Sequence, residues 1–328
     1  MVVAEYMKIW TDVHDKKMYL GALAAMFHDV GKPEAEEVKE SEERGVYRRY
    51  AGHEQVSAVE FLACMTSVPG MEARLDELHL DLEDVYITAW MIEHHLPYQM
   101  KDVAKRQGYY DTIAHFGCVD AFFSLLRADC RGRISDDHPT KLQAVEDWIA
   151  EFATHEPSPE REKTGKTAYV LIGTSSAGKS TLRRQFCAGP GFNMDSVRLD
   201  LYPSEGTAKE QYQHAFTQSC ENKSDFNNAV EKALGDAFAG DPSVVVSDNT
   251  NCSKKSRAAF IARARQKGYR VVGVLMMVHP HVALARQRKR EDREGVPIWG
   301  QFRALSMPTF TTEVDAMTYH IPPEAMSD

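Results

Sequence analysis

Cysteine is scarce in this chain of 328 residues: Cys64, Cys118, Cys130, Cys187, Cys220 and Cys252 are scattered, and no two form a C-x-x-C pair. The scatter speaks against a disulfide framework and a zinc–thiolate cage, and reduced thiols are the expectation. Long apolar runs are missing too. None approaches the roughly 20 residues that a membrane-crossing helix needs, so no membrane partner is expected. Met1 to Lys8 lack the basic start and apolar core of a secretion signal, which makes the cytoplasm the expected location. There is no internal repeat and no low-complexity tract. Positive charge is in deficit, 39 Lys and Arg against 48 Asp and Glu, for a net charge of −9. The deficit lies in the first half: residues 1–166 carry 19 basic side chains against 31 acidic, residues 167–328 carry 20 against 17, with a basic cluster at Arg286-Gln-Arg-Lys-Arg290. An acidic chain gains too little from counterion release to grip long nucleic acid, so contact with RNA or DNA is expected only over a few nucleotides at an end.

The length suffices for two domains, each with its own core. Apolar stripes at helical spacing run through Met18–Phe27, Val56–Met65, Leu82–Ile92 and Ala121–Leu126, while strand-like alternation is scarce. An all-α domain over residues 1–153 is predicted. Residues 154–166, polar and carrying Pro157 and Pro159, read as a linker. Over residues 167–328 short apolar strands (Ala168–Ile172, Ser243–Val246, Arg270–Val278) alternate with helical stretches. That pattern predicts an α/β domain whose parallel sheet is flanked by helices.

Gly173-Thr-Ser-Ser-Ala-Gly178-Lys179-Ser180 is a complete G-x-x-x-x-G-K-[ST] loop directly after the apolar run Tyr169–Ile172. A buried strand, a glycine loop and a helix start form the context in which this pattern binds phosphate. The backbone from Gly173 through Ser175 to Gly178 offers N–H groups to phosphate oxygens, and Lys179 reaches the β and γ phosphates. Ser180, followed by Thr181, supplies a hydroxyl for the Mg2+ that bridges them. ATP or another nucleoside triphosphate, with Mg2+, is the expected cofactor. Asp200 lies 21 residues past Lys179, after the segment Phe192–Leu199 that reads as a second strand. A carboxylate at such a strand edge faces the phosphate crevice and is placed to deprotonate a hydroxyl; a capping or surface aspartate is the plainer reading. Asp248 closes the strand Val244–Ser247 and opens Asp248-Asn-Thr-Asn251, either in the magnesium shell, against the acceptor, or as a mere turn. Arg286 and Arg290, four apart on a predicted helix, share a face from which arginine neutralises transition-state charge, unless that face is simply solvated.

These motifs, together with Pro190-Gly-Phe192 and Val296-Pro-Ile298, resemble in their order the kinase domain of phage-type polynucleotide 5′-kinases across nearly all of 167–328. The resemblance implies that Asp200 is the general base, that Asp248 with Asn251 meets the end of the acceptor, and that Arg290 with Arg286 engages the ATP phosphates. In that family an arginine three residues after the base holds the acceptor phosphate. Three residues after Asp200 stands Pro203, and Arg198 is the substitute at hand.

Phe27-His28-Asp29-Val-Gly31-Lys32-Pro33 puts an adjacent His and Asp at the end of an apolar helix, and further ligand types follow at His53, His94-His95 and Asp129. Imidazole with carboxylate suits iron, manganese, nickel or magnesium. Each residue alone reads equally as a satisfied helix-end side chain; the set on a helical background reads as a metal centre. The set resembles the HD phosphohydrolase superfamily. The stretch from His28 to Arg133, with its HDVGKP, YAGHE, HHLP and RADCRGR segments, is similar to the HD domain of bacterial tRNA nucleotidyltransferases. That resemblance implies a divalent transition metal (Mn, Ni, Co or Fe) on His28, Asp29 and Asp129. It implies also a second ion on His53, His94 and His95, catalysis centred on His28 and Asp29, and a phosphate contact from Lys32. The histidine that opens the superfamily's motif would fall near Ala4, where there is none; His14 stands nearer the pair.

The pairing of the two halves resembles the bacterial end-healing enzymes that join an HD phosphohydrolase to a polynucleotide kinase. It implies phosphorylation of a 5′-hydroxyl RNA or DNA end and hydrolysis of a 2′,3′-cyclic phosphate or a 2′ or 3′ phosphate, in preparation for a polynucleotide ligase. Two alternatives stay open: a nucleoside or small-molecule kinase fused to an HD nucleotidase, and a kinase with a non-catalytic HD scaffold.

Overall fold

The computed structural model describes residues 1–9, 15–41, 45–67, 71–96, 103–132, 138–158, 165–186, 189–290 and 296–321. His14, Pro97, Arg133, Cys187 and residues 159–164 of the expected linker lie outside the described residues. The chain divides into two compact units, Met1–Pro159 with Thr309–Thr312, and Glu160–Pro308 with Glu313–Asp328.

Among its described residues the first unit carries helices α1 (Val2–Ile9), α2 (Lys16–Phe27), α3 (His53–Ser67), α4 (Met71–Glu77), α5 (Leu82–Glu93), α6 (Val103–His115), α7 (Val119–Gly132) and α8 (His138–Ala153). The apolar stripes seen in the sequence become the core. α5 is buried on every side from Val85 to Ile92, with α2 and α3 packed against it, as expected of a helix that is apolar all round. Local signals set the helix starts: the Asp15 carboxylate accepts from the Lys17 and Met18 N–H groups ahead of α2, and Asp81 and Asp84 form a capping box at α5. An ion pair from Lys16 to Asp84 ties the two starts together.

The unit is not all-α as the periodicity predicted. β1 (Glu37–Ser41) and β2 (Gly45–Arg49) form an antiparallel hairpin, with Glu37 opposite Arg49 and Ser41 opposite Gly45. Its residues are half-exposed or exposed on both faces, Val38 and Val46 included, so the apolar alternation that marks a half-buried strand never arises. Thr309–Thr312 complete the unit. The Phe310 N–H donates to Thr112 Oγ1 at 3.0 Å, its ring stacks on His115 with centroids 4.2 Å apart, and the Thr311 hydroxyl donates to Asp111 at 2.6 Å. The Asp111 carboxylate also accepts from the Ser158 N–H at 3.0 Å and lies 3.1 Å from His155 Nε2.

The second unit contains β3 (Thr167–Ile172), α9 (Lys179–Phe186), β4 (Gly191–Phe192), α10 (Met194–Leu201), α11 (Ala208–Glu221), α12 (Lys223–Ala237), β5 (Val244–Ser247), α13 (Lys254–Gln266), β6 (Arg270–Met276), α14 (Pro280–Arg288), α15 (Ile298–Arg303) and β7 (Ala316–His320). The sheet runs β4-β5-β3-β6-β7 with every neighbour parallel. The inner strands are near-continuous buried runs, Val170 to Ile172 in β3 and Val271 to Met276 in β6, the signature of a sheet covered on both faces. In such a sheet ligands bind outside the carboxyl ends of the strands, where the phosphate loop leaves β3 and Asp248 leaves β5.

Two expectations fail here. The strand expected to reach Leu199 stops at Phe192, because β5, its sheet neighbour among the described residues, ends at Ser247 opposite it. Asn193 then caps a helix, its carboxamide oxygen accepting from the Asp195 and Ser196 N–H groups at 2.9 and 3.0 Å. Likewise α14 ends at Arg288, so Arg290 follows the C-cap Lys289 rather than sharing a helix face with Arg286.

Candidate functional site

The phosphate loop leaves β3 at Gly173, where φ is +156° and a Cβ would meet the Cβ of Met276 at 2.9 Å. Only glycine fits so close an approach in that conformation. Lys179 is 8% exposed, and its Nζ donates to the carbonyls of Gly173 (2.9 Å) and Thr174 (2.6 Å), folding the ammonium back over the loop. The Ser175 N–H donates to Gln301 Oε1 at 2.6 Å. The hydroxyls of Thr174 and Ser176 are buried and find no hydrogen-bond partner among the described residues. Orphaned donors in a glycine cradle fit a phosphate ligand.

A cavity of about 820 Å³ opens over the loop. Lys179, Ser180, Thr181, Asp248, Arg286 and Arg290 are among the residues that line it. Asp248 is 7% exposed; burial pushes its carboxyl above the usual value against the pull of the Ser180 hydroxyl, Lys179 and Arg183, and nearby Asp195 adds a like charge. A buried carboxylate beside a serine hydroxyl suits a hard divalent cation. Asn251 also borders the cavity but is fully buried, and its carboxamide donates to the carbonyls of Leu171 (2.9 Å) and Ser247 (3.2 Å). It clamps the ends of β3 and β5 together.

Asp200, by contrast, is exposed near the end of α10, outside the residues that line the cavity, and Pro203 is exposed beyond it. Asp195, in the first turn of α10, takes the position that the sequence reading gave to Asp200. The Asn193 Nδ2 donates to the Asp248 carbonyl (2.5 Å) and the Met194 N–H to Asn249 Oδ1 (2.7 Å), which fixes the start of α10 against the end of β5. One turn on, the guanidinium of Arg198 pairs with the Asp195 carboxylate at 2.7 Å, and its Nε donates to Ser219 Oγ at 3.2 Å. A carboxylate and an arginine three residues apart, which Asp200 and Pro203 fail to supply, are thus present in Asp195 and Arg198. The sequence did hold a signal for them, an Asn cap followed by Asp in the first turn.

In the first unit, α2 ends in the turn that carries His28 and Asp29. Gly31 lets this turn lie against α3: a Cβ there would meet the His53 carbonyl and the Ser57 nitrogen at 2.7 Å, and the Gly31 N–H donates to Ser57 Oγ at 2.9 Å. His28 Nε2 lies 3.3 Å from Asp29 Oδ2 and 3.4 Å from Asp129 Oδ1, and His53 Nε2 lies 3.2 Å from Asp29 Oδ1. The His95 ring stands edge-on to His28 and His53, with centroids 5.0 and 5.4 Å away.

Each of these three imidazoles spends Nδ1 on a backbone carbonyl, of Ala25 (2.9 Å), Tyr50 (2.7 Å) and Ile92 (2.7 Å) respectively. A carbonyl only accepts, so Nδ1 carries the hydrogen and Nε2 turns inward. All three Nε2 atoms and Asp29 Oδ1 are buried without a hydrogen-bond partner among the described residues, and donor atoms of His28, Asp29 and His95 lie within 4.8 Å of one another. This nitrogen and oxygen set could hold a metal ion. His94 points elsewhere: its ring stacks on Trp90 at 4.3 Å and meets Tyr109 edge-on at 4.6 Å. Lys32 Nζ holds Asp29 Oδ2 at 2.5 Å.

Burial opposes a charge on His28, yet the carboxylates of Asp129 and Asp29 hold its imidazole up at about 9. Burial likewise opposes the charge on Asp29, which His28, His53 and Lys32 keep far below the usual carboxylate range. Burial and the nearby His28 push His95 down to about 3. A metal ion held there would compete with the His28 proton for the same carboxylates.

Residues 169–306 match the family model of the AAA domain. The match takes in the phosphate loop, Asp195, Asp248 and Arg290, and fits a P-loop, kinase-like domain: a nucleotide-binding phosphotransferase that uses a nucleotide with Mg2+. No curated protein matches the chain. Among the described residues no helix is long and apolar enough to cross a membrane.

Proposed function

We propose that the chain heals nucleic-acid ends. Its second unit transfers the γ-phosphoryl of ATP to the 5′-hydroxyl of an RNA or DNA end, and its first unit, an HD-type phosphohydrolase, removes a 2′,3′-cyclic phosphate or a 2′ or 3′ phosphate. The products are the ends that a polynucleotide ligase joins. The observation that carries the kinase reading is the Asp195–Arg198 pair on the wall of the same cavity as Lys179.

In this reading Asp195 accepts the proton of the acceptor hydroxyl as its oxygen attacks the γ-phosphorus and the bond to the β,γ-bridging oxygen breaks, releasing ADP. Arg198 exchanges Asp195 for the first phosphate of the acceptor chain, which frees the carboxylate to act as base. Lys179 leaves the Gly173 and Thr174 carbonyls for the β and γ phosphates, and Arg286 and Arg290 neutralise the charge that spreads over the transferring group. Ser180 and Asp248 would hold Mg2+, which would supply charge neutralisation for the phosphates. In the first unit His28, Asp29, His53, His95 and Asp129 would hold one or two metal ions, and Lys32 would meet a phosphate oxygen. A metal held there would supply Lewis-acid activation of the phosphate ester and of the attacking water.

The deciding assay offers radiolabelled ATP with a 5′-hydroxyl oligonucleotide and, separately, with free nucleosides. Label on the oligonucleotide that vanishes in Lys179→Ala is the expected result. Label on nucleosides alone would replace this reading with that of a small-molecule kinase.

A further inference from the structure

We infer that the kinase cavity recognises the terminal nucleobase of its acceptor by stacking it on an aromatic shelf formed by Phe216 and Tyr212 of α11. The inference rests on the kinase reading above and adds a recognition element to it. Phe216 is 46% exposed although large and apolar, and it lines the cavity together with Tyr212, one turn earlier on the same helix face. The two rings are nearly parallel, with centroids 6.3 Å apart and planes at 28°. α11 is otherwise a polar helix that buries only Ala215 and Ser219, so Phe216 is not held in place by a core.

The shelf is fastened to the transfer residues on both sides. The Tyr212 hydroxyl reaches Asp195 Oδ1 at 3.5 Å, and the Arg198 guanidinium lies over the Phe216 ring at 5.4 Å. The guanidinium is itself backed by Phe226, 4.9 Å away on the other helix. A base stacked on the exposed side of this shelf therefore lies close to the arginine proposed for the acceptor phosphate and to its partner Asp195. An aromatic face beside a cation is how single-stranded nucleic acid is held without sequence readout, because every base offers a π-face.

The test compares kcat/KM for two 5′-hydroxyl oligonucleotides that differ only in whether the terminal nucleotide carries its base or is abasic. With the full chain the intact end is expected to be preferred about tenfold or more, the usual worth of one stacked base. Phe216→Ala, on a solvent-facing side chain, is expected to erase most of that preference through a higher KM for the intact end. Phe216→Leu, which keeps the apolar bulk but not the ring, behaves as Phe216→Ala, and Phe216→Trp restores the preference. A terminal 2-aminopurine gives a readout without turnover: its fluorescence is quenched on binding to the unaltered protein and not to Phe216→Ala. Equal use of both ends by the unaltered protein, or an undiminished preference in Phe216→Ala, overturns the shelf and leaves the kinase reading standing. Failure of the unaltered protein to label either oligonucleotide overturns the kinase reading itself.

Discussion

Asp195 and Asp200 ride the same short helix, and only the first reaches the cavity. Asp195→Ala is therefore expected to lower kcat for phosphoryl transfer by about 10²–10⁴-fold, the range for losing a general base. Asp200→Ala should stay within a few-fold of the unaltered protein, and steady-state labelling of a 5′-hydroxyl end separates the two. Arg198→Ala should act mainly on KM for the acceptor. Arg198→Lys should recover part of the loss, since an ammonium keeps the charge but not the two-pronged geometry. The phosphate loop, Asp248 and the His-Asp cluster were legible in the sequence because their chemistry is written in short contiguous motifs. Asp195 was not. Val197, Leu199 and Leu201 alternate with polar residues as in a strand, which masks the Asn193 cap, and the end of β5 opposite Phe192 leaves the chain free to turn helical there.

At the scale of elements, Gly31 shows how a turn and a helix start are held at contact distance. Gly31→Ala would press a methyl group on the backbone of α3, which cannot move aside as a side chain can. We expect a loss of about 1–3 kcal/mol in denaturant unfolding, typical of overpacking. Metal content should fall in parallel, because the same turn carries His28 and Asp29. The helices of the first unit were readable from their apolar stripes, whereas the β1–β2 hairpin was invisible because it buries nothing that patterning could register. β7 escaped for a similar reason, its residues half-buried or exposed at the edge of the sheet.

At the scale of the molecule the two candidate sites lie in separate units, so their losses should be separable. Lys179→Ala should abolish transfer and keep metal-dependent hydrolysis, and Asp29→Ala should do the reverse, with bound metal measured on both purified proteins. Acid should weaken the helical unit through Asp111. Burial opposes its charge, but hydrogen bonds from the Ser158 backbone, the Thr311 hydroxyl and His155 outweigh it and hold the carboxyl below its usual value. A depressed carboxyl stabilises the fold at pH above about 4, the ordinary aspartate value, and that contribution fades as pH falls through the lower folded value. Urea midpoints measured from pH 6 down to pH 3 should drop more steeply for the unaltered protein than for Asp111→Asn. The Thr309–Thr312 segment that supplies one of those bonds also bears on how the protein is made. A ribosome that has finished the eighth helix has not finished the unit, since Phe310 and Thr311 emerge only after almost all of the phosphotransferase has been translated. A chain that stops early therefore carries every candidate metal ligand of the helical unit without the segment that completes its packing, and a fragment stopping at residue 158 should recover stability only when a peptide spanning 305–315 is added back.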